Sequence, residues 1–171
     1  MSVKTLEKIT GTLKAKYPAS KEWDSSEFDW IRGLPPASKG VIGRYVGYAL
    51  LQHYGLTVTA YKYELRINGQ GVLVRMGTKW VGNVLKFQNI RNNPFDHVLC
   101  IGLYPKSAYA WLVPKDEIWK DGVVRDDRDG VKKQHKGADA WISVDPKKVP
   151  DWLEPYGGTI DEMIKVAKTN L

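Results

Sequence analysis

One cysteine in 171 residues, Cys100, excludes a disulfide framework and any cysteine-based zinc pattern. It lies in the apolar run HVLCIGL and reads as a small buried hydrophobe. No apolar run is long enough to cross a bilayer, and MSVKTLEKITGTLKAKY lacks the continuous hydrophobic stretch of a secretory signal. The expectation is a cytoplasmic protein with no membrane partner. His53, His97 and His135 show no metal-ligand spacing. There is no internal repeat, low-complexity tract or linker. Glu-x-Lys occurs nowhere, and the one Asp-x-Lys, Asp145-Pro146-Lys147, carries a proline at a strand end and reads as a turn.

What is present is an ordinary globular composition, 43% hydrophobic and 26% charged, in a length that suits one domain over 1–171. Seven Trp and nine Tyr suit a well-packed domain or one that stacks on something flat. A net charge of +7 favours a polyanionic partner, nucleic acid before membrane.

Along the chain, Val3, Leu6, Ile9 and Leu13 predict an amphipathic helix over 3–16. An aromatic connection then runs to residue 37, with Trp23, Phe28 and Trp30 expected to pin it to the core. Ser38 is placed to cap a helix over 39–54 that buries Val41, Ile42, Tyr45, Val46, Ala49 and Leu50 and ends at Gly55. LTVTAYKYELRI is strand-like, and Asn68-Gly69 marks a tight hairpin. In the returning strand Val72, Val74 and Met76 share one face, and Leu73, Arg75 and Gly77 the other. GNVLKFQNIRNN has apolar residues at helix-compatible spacing. DHVLCIGLY, YAWLVP and AWISV read as strands, and the core runs over 38–119. Residues 120–138 form a charged, mobile loop, and 139–171 close the chain with a strand and a helix capped by Thr159 and Glu162. This order predicts an α/β (α+β) fold, a mixed β-sheet flanked by helices.

The stretch YELRINGQGVLVRMGTKW, followed by FQNIR, the Phe95-Asp96 pair and GLYP, with QHKGADAWISV and PDWLEPYGGTIDEM further on, resembles small bacterial proteins of the restriction-endonuclease-like, PD-(D/E)xK nuclease superfamily. The resemblance covers about residues 38–165. It implies a restriction-endonuclease-like fold, DNA as partner, and magnesium as cofactor if the protein cuts. It also implies where the catalytic residues would stand: Glu64 at the upstream acid, Leu73 at the strand glutamate and Arg75 at the lysine. Arg44 stands where that group often carries a helix glutamate.

These departures have chemical consequences. Leucine binds no metal, one carboxylate makes a weak magnesium site, and arginine is no base at neutral pH. The resulting face is cationic and suits a phosphate without the means to cut it. Two alternatives to a degenerate site remain open. One is a rearranged site in which Lys79, with the parity of Arg75, joins Glu64 and Asp96 as metal ligands. The other leaves Glu64 as an ion-pair partner for Arg66 or Arg75. Gln88 and Arg91 on FQNIR, with Lys132, Lys133 and His135 in KKQHKG, are further candidates for DNA contact beside Arg44 and Arg75. Core packing is expected for Trp23, Trp30 and Trp119. The functional expectations are a non-cleaving DNA-binding domain, acting as a homodimer or beside an active nuclease partner; an active magnesium-dependent endonuclease; or a protein-interaction module.

Overall fold

The computed structural model describes residues 21–171, so the helix expected over 3–16 lies outside the described residues. Three α-helices are described, α1 (Asp29–Arg32), α2 (Pro36–His53) and α3 (Ile160–Asn170). The strands are β1 (Val58–Tyr61), β2 (Glu64–Ile67), β3 (Gln70–Thr78), β4 (Leu85–Arg91), β5 (His97–Leu103), β6 (Ala108–Pro114), β7 (Trp119–Lys120), β8 (Val123–Val124), β9 (Val131–Gln134), β10 (Asp139–Val144) and β11 (Gly157–Thr159).

A mixed six-stranded sheet in the order β1-β2-β3-β5-β6-β11 forms the centre, so the α+β class expected from the sequence holds. Its hairpin turns at Asn68 and Gly69, whose φ angles of 49° and 87° give the two left-handed residues of a type I′ turn, with Ile67 opposite Gln70. β3 and β5 run parallel, from Val72 opposite His97 to Thr78 opposite Leu103. Parallel neighbours need a crossover, and here the crossover carries strand β4, which pairs with β10 and then β9 in a second, three-stranded sheet.

The strand parity read from the sequence is the one observed. Val72 and Val74 pack with Leu99, Ile101 and Leu112 under α2 and α3, while Leu73 packs with Cys100, Trp111 and Val113 under Phe87 and Ile142 of the small sheet. Both long helices therefore cover one face of the central sheet, and the small sheet covers the other. The two layers meet closely at Gly77, where an added Cβ would lie 2.6 Å from the Lys86 carbonyl oxygen.

Helix α2 starts earlier than expected. Pro36 occupies its first turn, where the missing N–H costs nothing, Pro35 is the N-cap, and Ser38 makes no cap. Its C-terminal end closes with Gly55 N–H on the Gln52 carbonyl and Leu56 N–H on that of Leu51, a Schellman pattern. Its packing face also differs from the expected apolar stripe. Gly43, Gly47 and Leu51 are buried, whereas Val41 and Tyr45 are 51% and 66% exposed. The two glycines set how near α2 lies to β3. A Cβ on Gly43 would stand 2.7 Å from that of Met76, and one on Gly47 would stand 3.1 Å from Val74 Cγ2.

Other expectations are corrected. FQNIR is strand β4, not a helix. Gln88 and Asn89 form a bulge opposite β10, with Asn89 at φ 58°, and the extra residue moves Ile90 to three positions after Phe87. A bulged strand thus imitates helical spacing. Residues 120–138 are not a bare loop, since they contain β8 and β9, with Glu117 gripping Arg125 and Arg128 from the preceding turn. Trp23 and Trp119 are buried as expected, but Trp30 is 59% exposed. The capping box is present: Glu162 accepts from Thr159 N–H at 2.8 Å, and Thr159 Oγ1 accepts from Glu162 N–H at 3.3 Å.

A paired substitution tests the glycine contact. Gly43→Ala should destabilise by about 1–3 kcal/mol through overpacking on Met76. Gly40→Ala, with nothing within 4 Å of its added methyl, should stabilise by roughly 0.5–1 kcal/mol through helix propensity. Thermal or urea unfolding of the two variants reads both signs.

Candidate nucleic-acid interface

The residues that the nuclease resemblance singled out lie on α2, β2 and β3, and the structure spreads them apart. Leu73 is buried in the core between the two sheets. Glu64, at the start of β2, lies 2.6 Å from Arg66 Nη2, which decides between its two possible partners. Asp96 accepts the Gly71 N–H at 2.7 Å on Oδ2, and its own N–H donates to the Gly71 carbonyl at 2.8 Å. This reciprocal pair fastens the entry of β5 to the entry of β3. Both carboxylates border Gly71, where an added Cβ would meet Glu64 Oε2 at 2.9 Å.

Lys79 lies beyond the other end of β3. Eight residues at about 3.3 Å per residue place it roughly 26 Å along the strand from Gly71. Its ammonium pairs with Glu22, and it lies 5.8 Å from the Tyr104 ring centroid. The proposed trio of Glu64, Asp96 and Lys79 therefore does not assemble. No group of three His, Cys, Asp or Glu side chains among the described residues converges as metal ligands would. Magnesium needs converging hard oxygen donors. Here one carboxylate is taken by Arg66, the other by a backbone N–H, and a leucine stands beside them. This donor set does not fit the metal.

Arg75 sits midway and has a structural task. Nε and Nη2 donate to the Asn89 carbonyl at 3.2 and 2.7 Å, while Nη1 donates to the Val74 carbonyl at 2.9 Å. The other backbone group of the bulge, Asn89 N–H, donates to Gln134 Oε1 at 3.0 Å. Side chains thus satisfy both polar groups that the bulge removes from the ladder. Burial pushes the Arg75 pKa below its ordinary value, an effect opposed by Asp139 and reinforced by Arg91. Burial likewise pushes the neighbouring Cys100 thiol up.

The other candidates fall into two groups. Arg44 donates to the Lys62 carbonyl in the β1–β2 turn and does not line the cleft described below. Arg91 and His135 both approach the buried Asp139, at 3.4 and 3.8 Å, and both remain exposed. Lys133 pairs with Asp126 at 3.0 Å. Exposed Lys132 stands opposite Trp141 on the β9–β10 hairpin, and Gln88, on the far side of β10, is also exposed. His135 and Lys136 both adopt left-handed φ, 49° and 57°, at the tip of that hairpin.

The structure adds residues that the sequence reading missed. Two adjoining cavities, of about 610 and 300 Å³, share Lys39, Thr78 and Trp80 as a common wall. The larger takes in Arg32 and Lys79, and the smaller reaches Arg75, Lys86 and Gln88. The cleft runs along the edge of β3 from Val74 to Thr78, which β2 leaves unpaired, and on past the strand's carboxyl end to Lys79 and Trp80. Helix α2 begins here with no acidic residue in its first turn, so its dipole adds to the positive field. Lys86 Nζ sits 4.7 Å from the Trp80 ring centroid and 4.9 Å from that of Trp141. The interleaving of Lys79, Trp80 and Lys86 in TKWVGNVLK was the sequence signal for this surface.

Replacing Arg75 tests its bridging role. Arg75→Met should destabilise by about 0.5–1.5 kcal/mol, because the exposed Asn89 carbonyl exchanges its guanidinium donors for water. Arg75→Lys should recover only part of that, since an ammonium cannot reproduce the fork. Thermal unfolding and amide exchange in β4 give the readout, and an unchanged midpoint in Arg75→Met contradicts the role.

The chain matches no known family model and no curated protein.

Proposed function

We propose that this is a DNA-binding protein on the restriction-endonuclease-like frame that holds nucleic acid in the cleft at the Trp80 end of β3 and does not cleave it. The observation that carries this reading is the distribution of charge along one strand. The carboxylates sit at the Gly71 end, each engaged by a local partner, while Lys39, Lys79 and Lys86 gather at the far end around an exposed tryptophan. Cleavage needs neutralising metal and an activated water at one point. Binding needs only cations and stacking surfaces along a backbone. The net charge of +7 supports the same reading. Lys132, His135 and Arg91 extend the basic surface past the bulge, and phosphate contacts there position the backbone without reading sequence. The reading places the protein in the cytoplasm.

A second reading rests on a separate observation. Val41, Tyr45, Tyr61 and Tyr63 are large apolar residues from 47% to 82% exposed. They would serve a homodimer contact, a cutting partner or a protein-interaction role.

Salt titration and plasmid nicking separate these readings. Binding of labelled DNA should weaken steeply with salt, with log K falling by about 0.9 per log unit for each phosphate neutralised. Lys39→Glu with Lys86→Glu should lower the affinity and flatten that slope. Incubation with Mg²⁺ or Mn²⁺ should leave supercoiled plasmid intact. Nicking that disappears in Glu64→Ala establishes the active-endonuclease alternative. Absence of DNA binding at low salt leaves the interaction module, which sedimentation of the free protein then examines.

A further inference from the structure

We infer that Trp80 is a stacking platform for an unpaired base, so that the cleft prefers single-stranded or frayed polynucleotide to closed duplex. This rests on the nucleic-acid reading above and specifies its substrate. A large aromatic side chain ordinarily contributes to a core or interface, yet Trp80 is 56% exposed. Its exposure is not a product of a loose backbone. Trp80 N–H donates to the Val84 carbonyl at 2.8 Å, and Lys79 N–H donates to the Leu103 carbonyl at 2.9 Å. The Tyr104 hydroxyl closes the loop from beneath by donating to the Asn83 carbonyl. The ring is therefore displayed on an anchored turn.

Its surroundings have the chemistry of a nucleotide. Lys86 places its ammonium over one face of the Trp80 ring, so a base stacks on the other face, with that cation across the ring from it. Arg32, Lys39 and Lys79 line the larger cavity; among the described residues Glu22 is the one acid in that wall, where it pairs with Lys79, and Arg32 lies 3.9 Å from Asp29 outside it. A phosphate attached to a stacked base falls within this cationic wall. The cavity of about 610 Å³ lies in the range of small-molecule sites. In closed duplex both faces of each base are already stacked, so a fixed indole gains access only to an unpaired or extruded base.

Fluorescence anisotropy with the full chain tests this at low salt, using a labelled thymidine 12-mer and a duplex of equal length. The wild type should bind the single strand more tightly, with quenching of tryptophan emission. Trp80→Ala should weaken single-strand binding about tenfold and bring it towards the duplex value, while Trp80→Phe should retain most of the preference. Unchanged single-strand affinity in Trp80→Ala, in a protein with the wild-type thermal midpoint, overturns the inference. If Lys39→Glu still weakens both substrates in that case, the nucleic-acid reading survives without the platform. No binding of either substrate overturns both. Competition by thymidine 5′-monophosphate as strong as that of the 12-mer, at equal nucleotide concentration, assigns the platform to free nucleotides and overturns the polymer assignment.

Discussion

The guanidinium of Arg75, which bridges the two sheets, holds the arrangement on which the rest of the molecule depends. β3 and β5 are parallel, so the chain must leave the central sheet and return, and it does so through β4. That strand is bulged at Gln88 and Asn89. A bulge takes backbone groups out of the ladder, and left to water it would not fix one sheet on the other. Arg75 from the central sheet and Gln134 from the small sheet take up those groups. The small sheet then lies across Gly77 and directs Lys86 and Gln88 towards the N-terminal end of α2. Fold and surface meet at one side chain.

The same strand explains why the residues singled out by the nuclease resemblance do not assemble into one metal site. Its two ends carry opposite chemistry, separated by roughly 26 Å. At the Gly71 end, Glu64 and Asp96 are engaged by Arg66 and by a backbone N–H, and both contacts serve the sheet. At the other end, lysines and an exposed indole surround a cleft whose larger part has one acidic neighbour among the described residues. Hydrolysis of a phosphodiester requires these chemistries to coincide. Holding a phosphate backbone requires only the second. Leu73 adds a hydrophobic reason, because its position lies inside the core shared by both sheets. A carboxylate introduced there would bear the desolvation cost of a buried charge.

Local rules made much of the fold legible. Strand parity from Val72 to Gly77, the Asn68-Gly69 turn and the Thr159–Glu162 box each depend on a few adjacent residues, and each was read correctly. Readings failed where distant contacts overrule local pattern. A bulge gave FQNIR the spacing of a helix, and the inference of an apolar stripe on α2 overlooked that Gly43 and Gly47 permit the nearest approach to β3. The site was legible in its parts and not in its assembly. Charge and aromatic content raised the expectation of a polyanion surface; Gln88, expected to contact DNA, lines the cleft, and so does Lys79, which was expected only in a catalytic role. Lys39 and Trp80 were missed, because their nearness arises from the meeting of α2 with the β3–β4 turn. Lys79 looked able to join Glu64 through parity alone, and only strand length separates them.

The central claim is that nucleic acid occupies the cleft at the Trp80 end of β3 and leaves the carboxylate end of that strand free. Amide hydrogen exchange of the protein with and without a single-stranded oligonucleotide tests it most directly. The account predicts added protection in residues 36–40 and 79–88, and none around Gly71 and Asp96. Protection centred on Glu64, Gly71 and Asp96, with 79–88 unchanged, would contradict it.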